Sequence, residues 1–200
     1  MATTVSSPGA AAPASRAWRT RDIVVTAIIG VTFGVVFWVW NIAWGTMFES
    51  VFVFAPPAKD LLYAVWLIPA VLAPLIVRKP GAALFAEIVA AGVSAILGSQ
   101  WGVDALISGF VQGLGAEVVF ALTLYRVWTF PVLAAAAVAS AACAWVHDWV
   151  LYYADVSFEL QLVRGLLMAV SAIVIAAGGS VLLVRSLRQA GVLEGFPADG

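Results

Sequence analysis

Along this chain the polar positions break an otherwise apolar sequence into runs of about 20 residues, the length a helix needs to cross the hydrocarbon core of a bilayer. The runs at 22–44, 60–77, 81–98, 103–124, 130–153 and 159–184 predict six such helices. Residues 1–21 are rich in Ala, Ser, Thr and Pro and end on Arg16, Arg19 and Arg21, which predicts a flexible tail with a basic flank. Residues 22–188 then read as a single membrane domain, and 189–200 as a short C-terminal tail. The connection from Gly45 to Lys59 is apolar and aromatic but too short to span. It predicts a lid folded over the bundle, with Pro56 and Pro57 stopping any helix there.

Composition sharpens this picture. A chain that is 64% hydrophobic and 10% charged, with a mean hydropathy of +1.04, lies far from soluble domains, in which about 25% of residues are charged. The expected fold is an all-α integral membrane protein, a six-transmembrane-helix bundle. Charge supplies its orientation. Arg16, Arg19, Arg21, Arg78, Lys79, Arg126, Arg185 and Arg188 fall on one side of that topology, so the positive-inside rule predicts that both N and C termini are cytoplasmic. Only Lys59 and Arg164 depart from the bias. The first run is too long for a signal peptide and lacks a small-residue cleavage site.

Ionisable groups at membrane depth mark functional sites. The stretch Gly98–Leu122, GSQWGVDALISGFVQGLGAEVVFAL, is the richest in them. Asp104, Ser108 and Gln112 recur every four residues and share a helical face, beside a second stripe of Gly109, Gly113 and Glu117. Glu87 and Glu117 fall at similar depths; face to face, repulsion and desolvation would keep one of them neutral. Glu117 is expected to read the nitrogens of a heterocycle, and Glu87 to bond between helices. On the fifth run Trp145, Asp148, Trp149 and Tyr152 share a face from which His147 points away, and Asp148 is at the depth of Arg164, which predicts an ion pair. Seven of nine tryptophans fall in the outer half. An interfacial belt would occupy both interfaces, so Trp40, Trp44, Trp101 and Trp145 are expected to line an outward-facing pocket. The candidate binding residues are Trp40, Asn41, Trp44, Gln100, Trp101, Asp104, Ser108, Gln112, Glu117, Trp145, Asp148 and Tyr152. Thr26, Gly30 and Gly34 form a small-residue face suited to close helix packing, within the chain or with another subunit.

Several chemistries are excluded. There is no phosphate-binding Gly-rich Lys-Ser/Thr loop, the GLG of 113–115 lacks a dinucleotide fold around it, and no basic patch suits nucleic acid. One cysteine, Cys143, rules out an internal disulfide, and with His147 as the single histidine no metal framework is expected. No internal repeat supports an inverted-repeat transporter.

The runs RDIVVTAIIGVTFGVVFWVWNIAW, RKPGAALFAEIVA, GSQWG, QGLGAEVVFAL and RSLRQAGVLEGF resemble the substrate-binding S component of energy-coupling factor (ECF) vitamin transporters, in the YkoE-type hydroxymethylpyrimidine/thiamin subgroup. The resemblance covers Arg16 to Phe196. It implies a bacterial plasma-membrane protein that captures thiamin or hydroxymethylpyrimidine at the outer side without a cofactor. A transmembrane coupling subunit and two ABC ATPases would drive uptake. It also implies pyrimidine recognition by Glu117, Gln100 and Trp101, and coupling through small residues of the first helix, here Ala27, Gly30 and Gly34. Two other classes remain: an intramembrane enzyme using Glu87 with Glu117 or His147 with Asp148, and a ligand-free interaction subunit.

Overall fold

Long apolar runs give long helices, and the computed structural model, which describes residues 16–199, is built of helical rods with no strand among the described residues. They are α1 (Thr20–Val51), α2 (Pro56–Val77), α3 (Ala82–Ile96), α4 (Asp104–Leu122), α5 (Phe130–Tyr152) and α6 (Phe158–Gln189). Five are long and apolar enough to cross a membrane; α3 is apolar but shorter. The expected N-terminal tail lies outside the described residues except for its last few.

The rods α1, α3, α4, α5 and α6 pack in that order as an arc, and α2 touches all five. Its apolar sequence has no polar face to show to water and no need of one. Every residue from Pro69 to Val77 is buried, whereas the arc helices turn large apolar side chains outward, such as Ile28, Val39, Phe110, Val150 and Leu166. Such outward faces suit lipid and would be anomalous in water.

Glycines bring the arc together. A Cβ on Gly30 would lie 2.7 Å from Val89 Cβ, and one on Gly34 would lie 2.5 Å from Val93 Cβ. The small-residue face of α1 is therefore filled by α3 of the same chain. That corrects the expectation that Gly30 and Gly34 couple to another subunit, since a face already in contact at backbone distance has no room for a second helix. Ala27 is half-buried beside it.

Two further expectations change. The segment after Gly45 is helical, because a π turn over Trp44–Phe48 rotates the register and buries both Trp44 and Phe48. Pro56 and Pro57 start α2 instead of stopping a helix: at the first turn proline gives up an N–H that would be unpaired in any case. Only Phe52–Ala55 remains as loop, with Lys59 held by Glu49 and stacked over Trp44 at 5.1 Å. At the other end of the bundle the expected C-terminal tail folds back. Leu193 and Ala198 are buried, and Phe196 lies under the guanidinium of Arg21 at 4.9 Å. Trp18 Nε1 donates to Pro80 O at 2.9 Å, which ties the residues before α1 to the α2–α3 turn.

Candidate functional site

Where the arc closes on α2 it leaves a cavity of about 620 Å³, its open mouth included. Its lining on α4 runs from Asp104 to Gln112, about 12 Å at the helical rise per residue. The walls are aromatic: Phe37 and Trp44 from α1, Tyr63 and Trp66 from α2, with Trp101, Tyr152 and Tyr153 toward the mouth. Both ends are polar.

The inner end holds Glu87, Ser108 and Gln112. Gln112 Nε2 donates to Ser108 Oγ at 2.6 Å and reaches Tyr63 Oη at 3.5 Å. Glu87 is fully buried. Its carboxyl lies beside the backbone of Ala70, and neither oxygen has a partner at hydrogen-bonding geometry. A buried carboxyl without a partner is costly, which makes it the group in this cavity most in need of a ligand.

Asn41 organises the wall. Its Nδ2 donates to Ser94 Oγ (3.0 Å) and Ser99 Oγ (2.9 Å), while its Oδ1 accepts from Trp66 Nε1 (3.1 Å) and Trp101 Nε1 (3.2 Å). The amide is thereby saturated and fixes two indole planes. Gly98 and Gly102, with φ of 90° and 55°, supply the left-handed turns that bring Trp101 back over the mouth.

The mouth is acidic. Asp104 and Asp148 both line it, and His147 bridges them: Nε2 lies 3.1 Å from Asp104 Oδ1, and Nδ1 lies 3.1 Å from Asp148 Oδ1. The Tyr152 hydroxyl donates to Asp104 as well. His147 thus does not point away from the acidic groups; the crossing of α4 over α5 supplies the second carboxylate. Nor does Asp148 pair with Arg164. Arg164 Nε donates to Asp60 Oδ2 on α2 at 2.8 Å and its guanidinium stacks 3.5 Å from the Tyr153 ring, because α6 packs along the first half of α2.

Of the expected substrate-binding residues, Asn41, Trp44, Trp101, Asp104, Ser108, Gln112, Asp148 and Tyr152 come together around the cavity. Trp40 packs edge-on against Phe48 behind the wall. Gln100 is exposed, its amide against Gly45. Trp145 turns toward α6, donating to Gln161 O at 2.9 Å. Glu117 lies outside the cavity, where it caps the start of α3. It accepts from Gly81 N (2.5 Å), Ala83 N (3.0 Å) and the Tyr125 hydroxyl (2.7 Å), whose ionisation burial and this carboxylate push upward. An acidic side chain on a helix N-terminus is well placed, and one with three donors has little left for a ligand. Glu117→Ala is accordingly expected to lower stability by about 1–3 kcal/mol while leaving ligand affinity unchanged, as thermal unfolding beside a ligand titration would record.

Sequence reasoning missed Phe37, Tyr63, Trp66 and Tyr153 as lining residues and assigned Glu87 to helix bonding. The rule that an ionisable group within an apolar helix marks a site applied equally to Glu87 and Glu117. What separates them is which one a turn of backbone N–H groups already satisfies.

Comparison with known proteins agrees with this architecture. The family described as "ABC-type cobalt transport system, permease component" matches residues 21–143. A Bacillus subtilis (strain 168) protein named "Putative HMP/thiamine permease protein YkoE" is 34% identical over 184 residues, 90% of each chain. A solved structure described as an S-component of an ECF transporter superposes with a TM-score of 0.85 at 33% identity, covering 90% of this chain and 91% of that one. The chain is an ECF-transporter S component of the YkoE type. Its lipid-suited apolar exterior encloses a polar-ended chamber, and the protein is a multi-pass membrane protein of vitamin transport.

Proposed function

We propose that this S component binds thiamin or its hydroxymethylpyrimidine precursor in the aromatic cavity, from the outer side of the bacterial plasma membrane. In this reading all six rods span, both termini are cytoplasmic, and the cavity opens away from the end that carries Arg16, Arg19, Arg21, Arg78, Arg126, Arg185 and Arg188. The protein itself is non-catalytic. It hands the vitamin to a transmembrane coupling subunit powered by two ABC ATPases.

One observation carries the reading: an unpartnered buried carboxyl and a carboxamide at one end of an aromatic chamber, with two carboxylates at the other. An aminopyrimidine presents paired donor and acceptor edges, which Glu87 and Gln112 complement. Trp44, Trp66 and Trp101 offer faces for stacking, and the acidic mouth suits the thiazolium cation of thiamin. The name of the Bacillus relative, an HMP/thiamine permease, supports the same ligands. The enzyme alternatives are less favoured because Glu117 is saturated by backbone donors away from the cavity that holds Glu87, and His147, although it contacts Asp148, does not border that cavity.

Three of the lining residues are tryptophans, so ligand entry should be visible in intrinsic fluorescence. Titration of the detergent-purified protein with thiamin and with hydroxymethylpyrimidine is expected to give saturable quenching at low micromolar ligand or below. A flat response to both would remove the pyrimidine assignment.

A further inference from the structure

His147 does not border the cavity, yet both of its ring nitrogens are engaged by carboxylates that do. A neutral imidazole has one N–H and can donate to only one of them; with both carboxyls ionised, the two 3.1 Å contacts are both hydrogen bonds only when the ring carries two N–H groups. Formally, the Asp104–His147–Asp148 triad carries two negative charges with a neutral ring and one with a protonated ring. The remaining titratable groups facing the triad do not offset that difference. Tyr152 from α5 donates to Asp104, and Tyr63 from α2 lies beside Asp148. Asp60 and Arg164, from α2 and α6, neutralise one another, and Tyr153 is engaged under the Arg164 guanidinium.

We propose that His147 is a specificity-determining residue that sets the charge of the cavity mouth, and so discriminates ligands bearing a ring cation from neutral ligands of the same shape. The proposal rests on the vitamin reading above. A ring that is neutral leaves the acidic mouth at full strength and favours the cation. A protonated ring cancels half of that charge and narrows the preference.

The test compares the wild-type protein with His147→Gln, which retains an amide donor but cannot gain a proton, using thiamin and its neutral thiophene isostere. Dissociation constants are measured between about pH 8 and pH 5, the interval in which imidazole ordinarily titrates. Dividing the wild-type constant by that of the variant at each pH removes the ligand's own titration. For thiamin this ratio is expected to reach about tenfold at the acid end, the scale of one unit charge acting across a partly solvated mouth, while for the isostere it stays within about twofold. A tenfold ratio for thiamin at every pH, with none for the isostere, would equally support the assignment and identify a ring that stays protonated throughout. Ratios that move together for the two ligands, or remain at one for both, would overturn it and leave His147 a packing residue. Binding of the isostere to the variant reports that it is folded. Loss of binding of both ligands to the wild-type protein would instead overturn the vitamin reading, and this inference with it.

Discussion

Glu87→Leu is expected to weaken thiamin and hydroxymethylpyrimidine binding by at least a hundredfold, about 2.7 kcal/mol, without lowering the melting temperature of the unliganded protein. The two halves of that expectation have one cause. Glu87 is fully buried at the inner end of the cavity with neither carboxyl oxygen bonded. In the empty protein it carries the cost of a buried polar group with no partner, about 1–3 kcal/mol, and leucine of similar size removes that cost. With a pyrimidine in place the balance reverses. The ligand's donor edge would face hydrocarbon, and a site built to bond a polar edge discriminates strongly against losing the bond. Glu87→Gln, which keeps a donor and an acceptor, should fall between wild type and Leu. A Leu variant that binds within threefold of wild type, or that melts several degrees lower, would make Glu87 a structural group.

Arg164→Leu should have the largest effect on stability, about 3–5 kcal/mol. The guanidinium is the partner of Asp60, which is fully buried on α2, and it also lies against the Tyr153 ring and within 3.5 Å of Gln161 Oε1. Removing the cation leaves an uncompensated carboxylate in the protein interior, where desolvation is not repaid. Because the penalty belongs to the stranded charge, Asp60→Asn combined with Arg164→Leu should recover much of the loss. Thermal unfolding of the two single variants and the double variant completes the cycle. Additive losses in the double variant would show that the two residues act separately and that no clamp joins α2 to α6.

Much of the architecture was legible because lipid allows few solutions. In hydrocarbon every backbone polar group must be bonded within its own segment, so apolar runs of sufficient length become helices and their ends fall where polar residues resume. The expected run at 103–124 and the observed Asp104–Leu122 differ by a residue or two at each end. The stripe of Asp104, Ser108 and Gln112 was equally readable, since four-residue spacing puts side chains on one helical face whatever surrounds it. Helical spacing could not say what each face meets. Gly30 and Gly34 were seen as a docking face, and α3 fills it. Hydropathy treats Glu87 and Glu117 alike, as carboxyls in apolar helices, and the family resemblance points to Glu117. The choice turns on Gly81 and Ala83 presenting their N–H groups to Glu117 from another helix.

The same division holds for the whole molecule. Sequence alone determined membrane residence, the helical class, the placement of the rods and the family, because hydropathy, helical period and a family's motifs are local properties of the chain. Tertiary structure decided which charges meet. Asp60 with Arg164, Asp104 with His147 and Asp148, and Glu117 with the start of α3 are partners chosen by which helices cross. The carboxyl that those crossings leave without a partner, Glu87, stands in the cavity because the packing of α2 against α3 and α4 leaves a space there.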